Sequence, residues 1–329
     1  MIRLVRLVLL STVVLSVAAA SAQADLQVAW IRGFAAPATP ARFDRVGVIK
    51  VGPLSARNVL VLEPGTSAGA AYFVPLAQWI VARVHGWQVW SVERRENLLE
   101  DQSVLEQAKR GQAGATKLFD YYLGWLTSGG ASGPHFQLIP DQRVRFAKQW
   151  GMGVTVQDLH RVIEAARRRG GKVVLGGHSL GGAIVTAYAT WSFSGHAGAD
   201  GLAGLVYIDG GSPAAMTAGA ARSELQVLDS SETSPWLAFG GIPAPFAGLF
   251  SATGATAALI DPDSPSLGQA SGLLNAFHLT PSVPVTNLAQ FGYALTVGTS
   301  PATLLAPRRI SGGASRRPAR RTAGTAPAR

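Results

Sequence analysis

The sequence predicts an α/β fold, a mostly parallel sheet with helices on both faces, followed by a helical, lid-like region. Three observations carry that expectation. Asn58-Val-Leu-Val-Leu62 is a continuous apolar run, as in a strand covered on both faces, Lys172-Val-Val-Leu175 reads as a further buried strand, and Gly204-Leu-Val-Tyr-Ile-Asp209 reads as a strand after it. Apolar residues recur at helical spacing in the stretches between them. Strand and helix alternate from residue 58 to residue 209, the order that builds parallel βαβ units. In such a sheet, ligands and catalytic groups gather at the carboxyl ends of the strands.

Two alternating segments, Asp25–Arg32 and Arg45–Val51, read as antiparallel edge strands that open the domain. The first buried run, ended by Pro64 and Gly65, leads into Tyr72–His85, where Phe73, Leu76, Ala77, Ile80, Val81 and Val84 form one stripe closed by Gly86. A strand follows near Gln88–Val92. Residues 98–126 hold helical material broken by Gly111 and Gly114, and 129–134 is a Gly/Ser/Pro loop. Thr155-Val-Gln-Asp158 has the form of a capping box opening a helix whose Val156, Leu159, Val162, Ile163 and Ala166 share a face, with Arg167–Arg169 and Gly170 at its end. A helix from Leu180 to about Trp191 precedes the last strand. From Ser212 to about Pro307, Gly, Pro, Ser and Ala dominate, with apolar patches at Trp236–Phe239 and Phe246–Phe250. A lid over the sheet and a set of loosely packed helices are equally compatible with that text.

The 329 residues are 47% hydrophobic and 15% charged, ample for a buried core. Arg3 and Arg6 precede a largely apolar run, Leu7–Ala20, and Ala22-Gln23-Ala24 offers a small-x-small cleavage site. Residues 1–24 are therefore expected to be a secretory signal peptide, and the mature chain to be secreted or periplasmic. No later run reaches the roughly 18 uninterrupted apolar residues of a bilayer span. The absence of cysteine excludes a disulfide framework, a thiolate metal site and a cysteine nucleophile, so covalent catalysis needs another side chain. The net charge of +10 sits at the ends, with seven arginines and no acid in residues 302–329 and two arginines and no acid in residues 1–24. The nearly neutral body argues against a nucleic-acid partner. The expected divisions are the signal peptide at 1–24, the core at 25–211, a lid or cap at 212–306, and a disordered Arg/Ala/Pro-rich tail at 307–329.

Gly177-His178-Ser179-Leu180-Gly181 matches the G-x-S-x-G pattern, in which a serine occupies a sharp turn between a strand and a helix. The spacing has a steric cause: strand and helix approach so closely that only small residues fit two before and two after the serine. Gly65-Thr66-Ser67-Ala68-Gly69 is a second match, also after a strand and before a helix. Topology separates the two. Two βα units precede Ser179 and bury its strand centrally, whereas only the edge strands precede Ser67, so Ser179 is the expected nucleophile.

With its strand, the stretch Lys172–Gly182 resembles the nucleophile strand and elbow of the α/β-hydrolases, the lipase and esterase branches above all, and the resemblance covers residues 58–211. It implies transfer of an acyl group from a small-molecule ester or lipid to water through a serine ester, with a histidine base, an acidic partner, and neither metal nor cofactor. By position it implies that the backbone N–H groups of Leu180 and Thr66 form the oxyanion hole. An ordinary turn role for Thr66 is an equal alternative.

In that family the base and acid follow the serine along the chain. His196 and His278 qualify by order. His196 lies in a Gly-rich loop and reads as solvated, and His278 lies in Asn275-Ala-Phe-His-Leu inside the lid region. Asp209, ending the strand beside the elbow, is the best-placed carboxylate, though the family commonly supplies its acid one strand later; a loop-capping role is the plainer reading. The usual histidine follows the last strand, and residues 307–329, made of Arg, Ala, Gly, Pro, Ser, Thr and one Ile, cannot build a core. Two functions stand as expectations: an exported serine hydrolase of esters or lipids acting through Ser179, and a truncated remnant lacking its histidine. Thioesterases, acyltransferases and peptidases are rivals of the first, because fold does not fix substrate.

Overall fold

The computed structural model describes residues 25–66, 68–127, 133–211, 216–230, 244–277 and 279–294. Residues 1–24, where the signal peptide is expected, Ser67, His278 and residues 307–329 lie outside the described residues. Strands β1 (Leu26–Arg32), β2 (Arg45–Val51), β3 (Asn58–Glu63), β4 (Trp87–Glu93), β5 (Val173–His178) and β8 (Gly204–Ile208) form one sheet in the order β1-β2-β4-β3-β5-β8, and β6 (Ser192–Phe193) pairs with β7 (His196–Ala197) in a separate hairpin. β1 and β2 are antiparallel to their neighbours; β4, β3, β5 and β8 are mutually parallel.

Both faces of β3, β4 and β5 are covered, which is why their sequences do not alternate, whereas β8 is exposed along its middle. On one side α4 (Met152–Arg167) and α5 (Leu180–Thr190) pack Val156, Leu159, Ile163 and Val185 onto Val48, Val61 and Leu175. On the other, α1 (Val74–Val81) and the 3-10 turn before it bring Phe73, Ala77 and Val81 against Val51, Leu62 and Val89. Each fully buried Val or Leu contributes roughly 1.5–3 kcal/mol. α1 is shorter than the 72–85 stripe: Pro75 sets its start and the helix ends at Val81, before Gly86 turns the chain at φ 78° into β4.

The capping box expected at Thr155 does not form. α4 begins three residues earlier at Met152 with Gly151 as its N-cap, and the Thr155 hydroxyl donates back to the Gly151 carbonyl at 3.3 Å. Asp158 is drawn away by long-range partners: it accepts from Arg95 Nε at 2.6 Å, Arg95 Nη2 at 2.6 Å and the Phe34 N–H at 2.7 Å. A buried guanidinium outcompetes a local turn for the same carboxylate.

The remaining helices are α2 (Ser103–Lys109), α3 (Ala115–Tyr122), α6 (Ala218–Ser230), α7 (Ala244–Ile260), α8 (Leu267–Ala270) and α9 (Asn287–Ala294). A second core joins Leu105, Leu118, Phe119 and Tyr122 to Leu249 and Ala257, so helices from before the elbow and after the sheet share one interior. The buried Tyr122 hydroxyl donates to the Asp101 carbonyl at 2.9 Å and accepts from the Val104 N–H at 3.2 Å, leaving no unpaired polar group there. Among the described residues β8 pairs only with β5, and Leu205, Val206 and Tyr207 are exposed. Among the described residues no helix is long and apolar enough to cross a membrane.

Candidate active site

The chain passes from β5 to α5 through Ser179 alone, at φ 53° and ψ −119°, with the residue exposed at the N-terminus of the helix. The Ser179 N–H donates to the Ile208 carbonyl at 3.3 Å, and its carbonyl accepts from the Gly182 N–H at 2.9 Å. The surrounding glycines are obligatory on steric grounds. A Cβ on Gly177 would lie 2.3 Å from the Gly181 carbonyl, and one on Gly181 would lie 2.0 Å from the Glu63 carbonyl. Gly210 meets the elbow from β8, where a Cβ would lie 2.5 Å from Ser179 N. In the second G-x-S-x-G match, whose Ser67 lies outside the described residues, no helix follows the serine position directly. Residues 64–69 separate β3 from a 3-10 turn, Ala70–Phe73, and only then does α1 begin.

That loop is nevertheless part of the site. A Cβ on Gly65 would stand 3.1 Å from the Ser179 Cβ and 3.1 Å from His178 Nδ1, so the chain at Gly65 lies against the elbow and delivers Thr66 beside it. Neither the Thr66 N–H nor the Leu180 N–H is paired with a described residue. The first N–H groups of a helix have no intrahelical acceptor, so Leu180 offers a donor at the positive end of α5. His178 stacks on Tyr72 with ring centroids 5.1 Å apart.

Asp209, at φ 45°, precedes Gly210 at the edge of the elbow. Burial, and then the charge of Asp209, push the Tyr72 phenol upward. His196 lies elsewhere. It belongs to the hairpin after the C-terminus of α5, a helix about 16 Å long at 1.5 Å per residue. There its side chain is exposed and lies 3.8 Å from Asp200, as a solvated histidine should.

Sequence reasoning passed over a charged cluster at the carboxyl ends of β3 and β4. Arg94 and Glu63 are both buried, 3.3 Å apart, and Glu63 Oε2 has no hydrogen-bond partner among the described residues. The available signal was charge at the ends of two apolar strands, Glu63 on β3 and Glu93-Arg94 on β4. Burial pushes the Glu63 carboxyl from its ordinary 4.5 up to about 7, with the Arg94 guanidinium pulling the other way. Between those pH values the folded chain keeps a proton that the unfolded chain has lost, so stability falls as pH rises from 4.5 to about 7 and Glu63 adds no further change above. The melting temperature should therefore decline across this window, and Glu63→Gln should flatten the decline. An identical slope in the variant would mean that Glu63 is ionised throughout.

A strained serine lies between a parallel strand and a helix, reached by a glycine loop from the neighbouring strand. The fold is mixed α/β, a mostly parallel six-stranded sheet with helices on both faces. No protein-family model matches the chain, and no curated protein matches it. Solved structures similar to it include a chain from Sulfolobus solfataricus suggested to be a lipase, at 15% identity and TM-score 0.41, covering 78% of this chain and 65% of that one. A bacterial membrane phospholipase A is similar at 16% identity and TM-score 0.32, with 73% and 62% covered. The esterase Est22 is similar at 15% identity and TM-score 0.31, with 61% and 50% covered. The chain spans less than two thirds of the length of each of these proteins.

Proposed function

We propose that this chain is an exported serine hydrolase that cleaves a carboxylic ester or lipid by acyl transfer through Ser179. The observation that carries the reading is the Ser179 backbone at φ 53° and ψ −119°, held at the helix N-terminus by glycine contacts that admit no side chain. Backbone strain of this kind persists where the surroundings over-determine it, and it clusters at reacting groups. The Ser179 hydroxyl attacks the ester carbonyl, the tetrahedral oxyanion is met by the N–H groups of Leu180 and Thr66, and collapse expels the alcohol. Water then attacks the acyl-serine and releases the acid. A base must take the hydroxyl proton in the first step and return it to the leaving group. Distance removes His196 from that role, and His278 lies outside the described residues. Asp209 adjoins Gly210, whose backbone lies against Ser179. Export rests on residues 1–24, and the reaction as written needs no cofactor or metal.

The test is covalent. A fluorophosphonate probe incubated with the purified chain should form one adduct, located at Ser179 by peptide mass spectrometry and lost in Ser179→Ala. An adduct at Ser67, or none at all, would overturn the assignment.

A further inference from the structure

Glu93 ends β4 and Arg94 follows it, and both side chains turn to the loop that leaves β3. Arg94 is buried and uses its guanidinium as a fork: Nη1 donates to the Pro64 carbonyl at 2.7 Å, Nη2 to the Gly65 carbonyl at 2.9 Å, and Nε to Glu96 at 2.6 Å. At the other end of the loop Glu93 Oε2 accepts from the Ala70 N–H, and Asn97 donates to the second carboxylate oxygen. Gly69 admits that approach, since a Cβ there would stand 2.8 Å from Glu93 Oε2.

We infer that Arg94 and Glu93 are positioning residues that clamp the 64–70 loop at both ends and aim the Thr66 N–H at the oxyanion, an inference that rests on the role proposed for Ser179. The Gly65 carbonyl and the Thr66 N–H belong to one planar peptide, in which the two bonds point in opposite directions. Holding the carbonyl to Arg94 on the β4 side therefore turns the N–H away from Arg94. Gly65 has no side chain of its own to hold that plane. The plane is set by hydrogen bonds to a charged donor, which are shorter and stronger than neutral ones. Arg94 does not touch the reacting atoms; it acts through the peptide it orients.

Arg94→Lys keeps a cation beside Glu63 but loses the fork that reaches two carbonyls. With a short-chain 4-nitrophenyl ester as probe, the full chain carrying this substitution should lose about 10²-fold in kcat with little change in KM, the signature of a lost transition-state donor. Arg95→Lys is the matched comparison. Arg95 is as buried, but its hydrogen bonds go to Asp158, Asp44 and the Phe34 carbonyl, so its substitution should lower the melting temperature without that loss of kcat. Glu93→Ala, which leaves the buried Arg94–Glu63 pair intact, makes the same measurement from the other end of the loop should Arg94→Lys fail to fold. Equal losses of kcat in the Arg94 and Arg95 variants, or an Arg94 or Glu93 variant within about twofold of the parent, would overturn the clamp. A Ser179→Ala chain that still hydrolyses the ester would instead sink the nucleophile and the clamp with it. An inactive Ser179→Ala beside an unaffected Arg94→Lys sinks the clamp alone.

Discussion

Ser179→Gly should abolish ester hydrolysis and make the fold more stable. A side chain at φ 53° and ψ −119° crowds its own backbone, a conformation that costs of the order of 1–3 kcal/mol outside glycine. Removing the Cβ relieves that crowding. Glycine also adds freedom to the unfolded chain, which offsets roughly 0.5–1 kcal/mol of the gain. The net expectation is about 1 kcal/mol of added stability in urea unfolding, while loss of the hydroxyl removes about 10⁶-fold in kcat. The two readouts move in opposite directions, as a residue kept for chemistry at the expense of stability requires. A glycine variant less stable than its parent would mean that the serine conformation is not strained and that its hydroxyl serves the fold.

Asp158→Ala should be the most damaging single change away from the elbow, at about 3 kcal/mol. Asp158 and Arg95 are both buried and meet through two hydrogen bonds of 2.6 Å, and Asp158 also accepts from the Phe34 N–H. Removing the carboxylate leaves a buried guanidinium with only Asp44, at 3.0 Å, to answer its charge. That remaining partner keeps the expected loss at the low end of the roughly 3–5 kcal/mol seen for broken buried pairs. Chemical denaturation of Asp158→Ala and of the double variant Arg95→Met/Asp158→Leu separates charge from packing. The double variant should recover most of the loss, because apolar replacements remove both desolvated charges together. Equal instability in the two would assign the effect to shape instead.

The strands were legible because burial on two faces leaves a run such as Val59–Leu62 no room for polar residues, and the elbow was legible because sterics dictate glycine at 177 and 181. The Thr155-Val-Gln-Asp158 pattern misled because Asp158 answers to Arg95, 63 residues away in the chain, and not to its own helix end. The joint interior of α2, α3 and α7 could not be read from either segment, since each supplies one face and periodicity does not name the partner. Glu63, Glu93 and Arg94 look like strand-end charges in the sequence. Their relation to the elbow depends on β3 and β4 lying side by side, which is a property of strand order.

The pairing of β3 with β5 also bears on the order in which the molecule can assemble. Asn58 Oδ1 accepts from the Lys172 N–H at 2.9 Å across 114 positions of chain, so β3 and β5 meet only after a very long loop has closed. The antiparallel β1–β2 ribbon needs no such closure and can form early. Contacts of high sequence separation slow folding, and here they include the approach of Glu63 and Gly65 to the elbow, beside the local contact of Gly177 with Gly181. The serine therefore meets its full set of neighbours only once β3 and β5 have paired.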